Sequence, residues 1–246
     1  MNKLAVTVLV CSFVAGAAVA GGAGHWSYHG KTGPQHWGDL KDEYIMCKIG
    51  KNQSPVDLGR IVEADLKKLQ INYSSGGISV TNNGHTIKVN YEPGSYIVVD
   101  GVRFELKQFH FHAPSEHKLK GKTYPFEAHF VHADKDGNLA VIGVLFKEGN
   151  NNPVIEKIWK NLPEAGKTVK LAHKVNAYDL LPEEKEYYRY SGSLTTPPCS
   201  EGVRWIVMKK EIELSKEQIQ KFRKLMGGDT NRPVQPLNAR MILEMD

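Results

Sequence analysis

Between Gln108 and His132 the chain reads Gln-Phe-His-Phe-His-Ala-Pro-Ser-Glu-His, passes a Lys/Gly-rich turn, and continues Pro-Phe-Glu-Ala-His-Phe-Val-His. In an extended strand, alternate side chains point to opposite faces. His110 and His112 therefore share a face with Gln108, while Phe109 and Phe111 turn to the other. The second run puts Glu127, His129 and Val131 on one face, opposite Ala128, Phe130 and His132. Two neighbouring strands of this kind can aim His110, His112 and His129 at one point. Three imidazoles would hold a zinc ion and leave its fourth tetrahedral position open, the arrangement of a catalytic rather than a sealed structural site. Neutral ligands leave the double charge of the ion undissipated, and that charge makes a bound water acidic. Each ligand also needs its other ring nitrogen held. Gln108 and Glu127, each two residues before a ligand and on its face, are placed to do so.

The elements that would carry these residues are mostly strands. Ile78–Val80, His85–Tyr91, Tyr96–Val99 and Val102–His112 are short extended runs broken by turn residues, and the last is expected to alternate throughout. Asp100-Gly101 between two such runs is a strong hairpin signal. Asp134-Lys-Asp-Gly-Asn138 joins the next pair; it lacks the full spacing of a calcium loop and reads as a turn. Helices are few. Asn152 and Pro153 start one in which Val154, Ile155, Ile158, Trp159 and Leu162 recur at helical spacing. Ser215 to Gln218 forms a capping box before Ile219, Phe222 and Leu225, and Gly227 ends that helix. Residues 21–60 are irregular and aromatic-rich, with their Trp residues expected to pack inward.

The first twenty residues resemble a secretory signal: Lys3, an apolar run from Leu4 to Val14, and Ala18-Val19-Ala20 as a cleavage site. The apolar run is too short for stable membrane insertion. Residues 21–246 then form a single domain, exported to the periplasm or the medium. Removal of Cys11 leaves Cys47 and Cys199, an even pair that suggests a disulfide in an exported protein, with two separate buried thiols as the alternative. A formal charge of +5 is modest for 246 residues, and the only basic cluster, Lys118, Lys120 and Lys122, suits a solvated loop better than a nucleic-acid partner.

The two histidine runs, taken with Lys51-Asn-Gln-Ser-Pro-Val-Asp57, Asn82-Asn-Gly-His85, Ser193-Leu-Thr-Thr-Pro-Pro198, Val203-Arg-Trp-Ile-Val207 and Arg232-Pro-Val-Gln-Pro-Leu237, resemble the α-class carbonic anhydrases. The matches run in order from about residue 25 to 240. The resemblance implies a mainly β fold: one domain with a central twisted, mostly antiparallel sheet, short peripheral helices and a conical cavity. It implies Zn²⁺ as cofactor, carbon dioxide, bicarbonate and water as substrates, and hydration by zinc hydroxide, with weak esterase activity on the side. His110, His112 and His129 match the zinc ligands. Thr195 and Glu116 match the pair that orients the nucleophile, and His85 the proton shuttle, to which an unperturbed imidazole is suited. Val131, Val141, Leu194, Thr196 and Trp205 fall where the family binds substrate. Gln108, His117, Glu127, Tyr190 and Ser54 match supporting positions, and Cys47 with Cys199 the disulfide of exported members, next to the Thr195 loop.

This chain departs from the family pattern in three places. The three-residue spacer between His112 and Glu116 is the short, bacterial form. Lys88 stands where many relatives carry a neutral residue, and Thr230-Asn231 replaces an Asn-Trp pair. A cupin would share the His-x-His-x3-Glu spacing but make Glu116 a ligand; its flanking glycines are missing. An inactive binding module on the same fold would have lost a ligand histidine, and none is lost. His132 and His173 read as structural or surface residues. The assembly state, monomer or homodimer, is left open.

Overall fold

The computed structural model describes residues 25–245, so the secretory signal expected over residues 1–20 lies outside them. Ten strands form the main path of one large mixed sheet: β1 (Ile61–Ala64), β2 (Ser75–Asn82), β3 (Ile87–Tyr91), β4 (Val102–His112), β5 (Phe126–Ala133), β6 (Leu139–Glu148), β7 (Thr168–Asn176), β8 (Tyr187–Ser193), β9 (Glu201–Met208) and β10 (Ile242–Met245). Their order across the sheet is β7-β2-β3-β4-β5-β6-β9-β8-β10-β1, with three short strands added at the sides. Most neighbours are antiparallel. Parallel joins occur where β6 meets β9 and Ile212–Leu214, and where β10 meets β1.

The turn chemistry follows from backbone sterics. Asp100 and Gly101 both have positive φ, 52° and 78°, as a two-residue primed hairpin requires, and Val99 pairs with Val102 across it. In the turn after β5, Asp134 Oδ1 accepts from the amides of Asp136 and Asn138, with no need of a cation to organise it. Helix α1 (Pro153–Trp159) is capped by Asn152, whose Oδ1 accepts from Val154 N and Ile155 N. It stops before Leu162, which packs against the core without being helical. Helix α2 (Lys216–Met226) has the expected capping box and ends at Gly227 in the left-handed region.

Apolar side chains collect on the two faces of the sheet. The larger cluster includes Phe104, Leu106, Phe109, Phe111, Phe126, Phe130, Trp159 and Phe222 beneath both helices. The smaller lies on the other face and includes Val141, Tyr190, Val203, Trp205 and Val207, with Val131 and Leu194 against it. The regular alternation expected along β4 does not hold. Phe104 and Leu106 face the same core as Phe109 and Phe111, which no unbroken strand could arrange. The register against β5 slips between Val131, opposite Gln108, and His132, opposite Leu106. The extra residue is a bulge, and it resets the facing of the strand just before the histidines. Among the described residues no helix is long and apolar enough to cross a membrane.

Candidate metal centre

β4 and β5 lie antiparallel with His110 opposite His129 and His112 opposite Glu127. This register puts the three imidazoles on one face, and their three potential ligand nitrogens lie within 4.8 Å of one another. The other nitrogen of each ring is held. His110 Nδ1 donates to Gln108 Oε1 at 2.9 Å, His112 Nδ1 to the Thr230 carbonyl at 2.6 Å, and His129 Nε2 to Glu127 Oε1 at 2.9 Å. Each bond fixes a tautomer and leaves a lone pair on the nitrogen that faces inward. His112 Nε2 is fully buried and has no hydrogen-bond partner. A buried polar atom without a partner is costly, and a metal ion would satisfy it. Burial, with the neighbouring imidazoles, holds His110 well below the ordinary imidazole range; burial takes His112 down to about 4 and lowers His129. All three are neutral at neutral pH, the form that binds metal. The residues therefore fit a divalent ion.

Glu127 anchors the next layer. Its Oε1 accepts from His129 and from His117 Nδ1 at 2.7 Å, and its Oε2 accepts from the amides of Glu116 and His117 at 2.8 and 2.9 Å. Burial alone would raise its carboxyl; the adjoining His117 and His129 outweigh burial and hold it well below the usual range. Although His117, Glu127 and His129 are also close enough together to enclose an ion, every oxygen of Glu127 is already occupied, so this cluster is a hydrogen-bond node. The chain continues outward: Tyr190 donates to His117 Nε2 at 2.7 Å and contacts Ser54 Oγ at 2.9 Å, which accepts from Ser193 N at 3.0 Å. Gly192 makes room for it, since a Cβ there would lie 2.1 Å from Ser54 Oγ.

Glu116 is buried with Oε1 accepting from Arg232 N at 2.8 Å, while Oε2 has no partner. Oε2 lies 3.5 Å from His112 Nε2 and 3.8 Å from His129 Nδ1. Burial pushes the carboxyl up to about 7 against the opposing pull of His129, the Arg232 amide and Thr195. Thr195 is thus beside Glu116, but its hydroxyl leaves Oε2 unsatisfied. Cys47 and Cys199 are joined, with Cα atoms 5.0 Å apart, and the crosslink closes the loop that carries Thr195.

A cavity of about 150 Å³ reaches the imidazoles and is lined by Trp26, Tyr28, His85, Lys88, His110 and Thr196, among others. His85 is stacked on Trp26, with ring centroids 3.7 Å apart and planes 11° from parallel. In this pose burial and the neighbouring His25 take it down to about 4, so it does not have the unperturbed imidazole expected from sequence. Val131, Val141, Leu194 and Trp205 fall together in the smaller apolar cluster. Sequence reasoning assigned no role to Trp26 and Tyr28, whose only signal was their place in an aromatic-rich segment. Thr230 stood out only as a departure from the family pattern; it serves through a main-chain carbonyl, a role that leaves no mark in residue type.

A family model described as eukaryotic-type carbonic anhydrase matches residues 32–246. The chain is 46% identical to a carbonic anhydrase of Neisseria gonorrhoeae, over 98% of this chain and 95% of that protein. It superposes with a TM-score of 0.90 on a hyperthermostable carbonic anhydrase from an active hydrothermal vent chimney, at 86% identity over 90% of this chain and all of that one. The value is 0.88 for the enzyme of Thermovibrio ammonificans, solved with the inhibitor sulfanilamide, at 61% identity over 91% of this chain and all of that one. The chain belongs to the α-class carbonic anhydrases. Its activity is the reversible hydration of carbon dioxide to bicarbonate and a proton.

Proposed function

We propose that His110, His112 and His129 hold Zn²⁺ and that Glu116, Thr195 and His85 divide the remaining work of hydration. The observation that carries this reading is the buried, partnerless His112 Nε2 among three convergent imidazoles. Zinc held by His110, His112 and His129 would supply the positive charge that makes a water acidic enough to ionise near neutral pH. With its proton turned to Oε2 of Glu116, which has no partner in the structure, the Thr195 hydroxyl could only accept a hydrogen bond from the reacting group. That direction of hydrogen bonding orients the nucleophile's lone pair towards the substrate carbon. Val131, Val141, Leu194 and Trp205 exclude water from one wall, which suits a small apolar substrate, and the Thr196 edge of the cavity completes the substrate site. Trp205 is fixed there by its Nε1 bond to Ser193 O at 2.9 Å. Gln108, Glu127, His117 and Tyr190 hold the ligands in place.

His85 carries the released proton out of the cavity. Leaving the Trp26 stack for the open cavity takes its ring away from burial and from His25, and its pKa then rises towards the ordinary imidazole value. The mature domain begins after Ala20 and works outside the cytoplasm; the disulfide, which persists in oxidising compartments, supports this. The test is stopped-flow hydration of carbon dioxide with metal content measured on the same sample. One zinc per chain and high activity are expected, and His85→Ala should slow turnover most in dilute buffer and recover in concentrated imidazole. A fully loaded protein that leaves carbon dioxide unreacted would overturn the reading, and turnover of His85→Ala indifferent to buffer would overturn the role of His85.

A further inference from the structure

Arg232 is 1% exposed, yet its guanidinium meets no carboxylate among the described residues. Instead Nη1 donates to Gln53 Oε1 and to the Ser54 carbonyl, both at 2.8 Å, and Nη2 donates to the Cys47 carbonyl at 3.1 Å. The guanidinium carbon also lies 5.7 Å from the centre of the Trp37 ring. Gln53 donates in turn to the Cys199 carbonyl at 3.0 Å, so both halves of the disulfide connect to this one side chain. The main-chain amide of Arg232 donates to Glu116 Oε1 at 2.8 Å. One residue thus grips the crosslinked segment with its side chain and the Glu116 carboxylate with its backbone.

We infer that Arg232 is a positioning residue for hydration: its side chain anchors the amide that fixes the rotation of Glu116, and so ties the disulfide to the reacting site. A carboxylate held at one oxygen by a fixed donor presents the other in a fixed direction. Here Oε2 is presented to the metal-facing nitrogens of His112 and His129, 3.5 and 3.8 Å away. A buried cation solvated only by carbonyls is costly to keep, and an apolar side chain could fill the same space against Trp37. What the apolar substitute lacks is the set of directed donors that locks the main chain. The crosslink acts on the site along the same route, because the Cys47 carbonyl is one of those anchors.

The inference rests on the role given to Glu116 above, and Glu116→Gln is its control. The holoenzyme variants Arg232→Gln and Arg232→Lys are compared with the parent for zinc content, melting temperature, carbon dioxide hydration and amide hydrogen exchange at position 232. Positioning predicts that Arg232→Gln keeps one zinc per chain but loses about tenfold in kcat/KM per zinc, the order expected when a catalytic donor is misaligned rather than removed. The dependence of kcat on buffer, which reports the separate proton-export step, is retained. Exchange at residue 232 accelerates, and Arg232→Lys, which keeps donors for Gln53 and Ser54, recovers part of the loss. An unchanged kcat/KM per zinc in Arg232→Gln, whatever its melting temperature, would assign Arg232 to stability alone. If Arg232→Gln does not fold, Gln53→Leu removes one anchor; a two- to threefold loss of kcat/KM supports the route, and none overturns it. Failure of the underlying reading is distinct, because Glu116→Gln would then itself leave kcat/KM intact.

Discussion

His129 and His132 sit on the same strand, both buried, on opposite faces of the sheet. On the core face His132 Nδ1 donates to the Ala140 carbonyl at 3.1 Å, and Nε2 accepts from Tyr73 at 2.5 Å. Both of its nitrogens are satisfied by protein. On the other face every ligand ring has one nitrogen held and one left over, and Glu116 repeats the pattern with its two oxygens. Burial lowers the pKa of both kinds of histidine, so a depressed pKa does not distinguish them. The incomplete hydrogen bonding does. A structural imidazole closes its own account of donors and acceptors, whereas a functional one keeps a lone pair aimed at something that must arrive.

The sharpest way to break this comparison is to delete one imidazole from each face. His129→Ala should abolish tight zinc binding and hydration, whereas His132→Ala should keep one zinc per chain; metal analysis after dialysis decides, and zinc retained by the first variant would remove the distinction. Acid stability offers a second, smaller contrast. Burial holds His132 down to about 3, far below the ordinary imidazole value near 6.5. Its neutral form is favoured in the folded state, so its contribution is complete above pH 6.5 and disappears as pH falls towards 3. At about 1.4 kcal/mol per unit the loss reaches roughly 4–5 kcal/mol. Denaturant melts from pH 7 to 4 should therefore fall less steeply for His132→Gln, and identical pH profiles would show that the proton is not excluded there. The smallest effect concerns the open oxygen: Thr195→Ala should lower turnover by roughly 10²-fold while leaving zinc in place, by comparison with loss of one preorganised donor. Turnover within a factor of two of the parent would mean that Oε2 of Glu116 serves some other group.

Much of this was legible before folding. Period-two alternation put His110 and His112 on one face, and His129 with Glu127 on one face of another strand, because side chains alternate along an unbroken pleated run. Asp100-Gly101 fixed its hairpin, and Asn152 and Ser215 their helix starts, because these residues satisfy local donors or tolerate positive φ within a few positions of themselves. The bulge in β4 was less visible. The step of three between Leu106 and Phe109 hints at it, but only pairing with β5 decides where the extra residue goes.

Residue type and local spacing by themselves determined the candidate ligand triad and the strand-rich architecture, and only suggested that Cys47 and Cys199 pair, since these readings rest on geometry that spans a few bonds or on a property of the side chain. The tertiary structure alone decided that a main-chain carbonyl at Thr230 holds His112, that Trp26 covers His85 and lowers its basicity, and that Arg232 joins Cys47 to Glu116. These contacts bring together positions from 59 to 185 residues apart, and two of them act through backbone atoms that every residue type possesses. Such partners are selected by packing and desolvation of the whole chain, which no local pattern encodes.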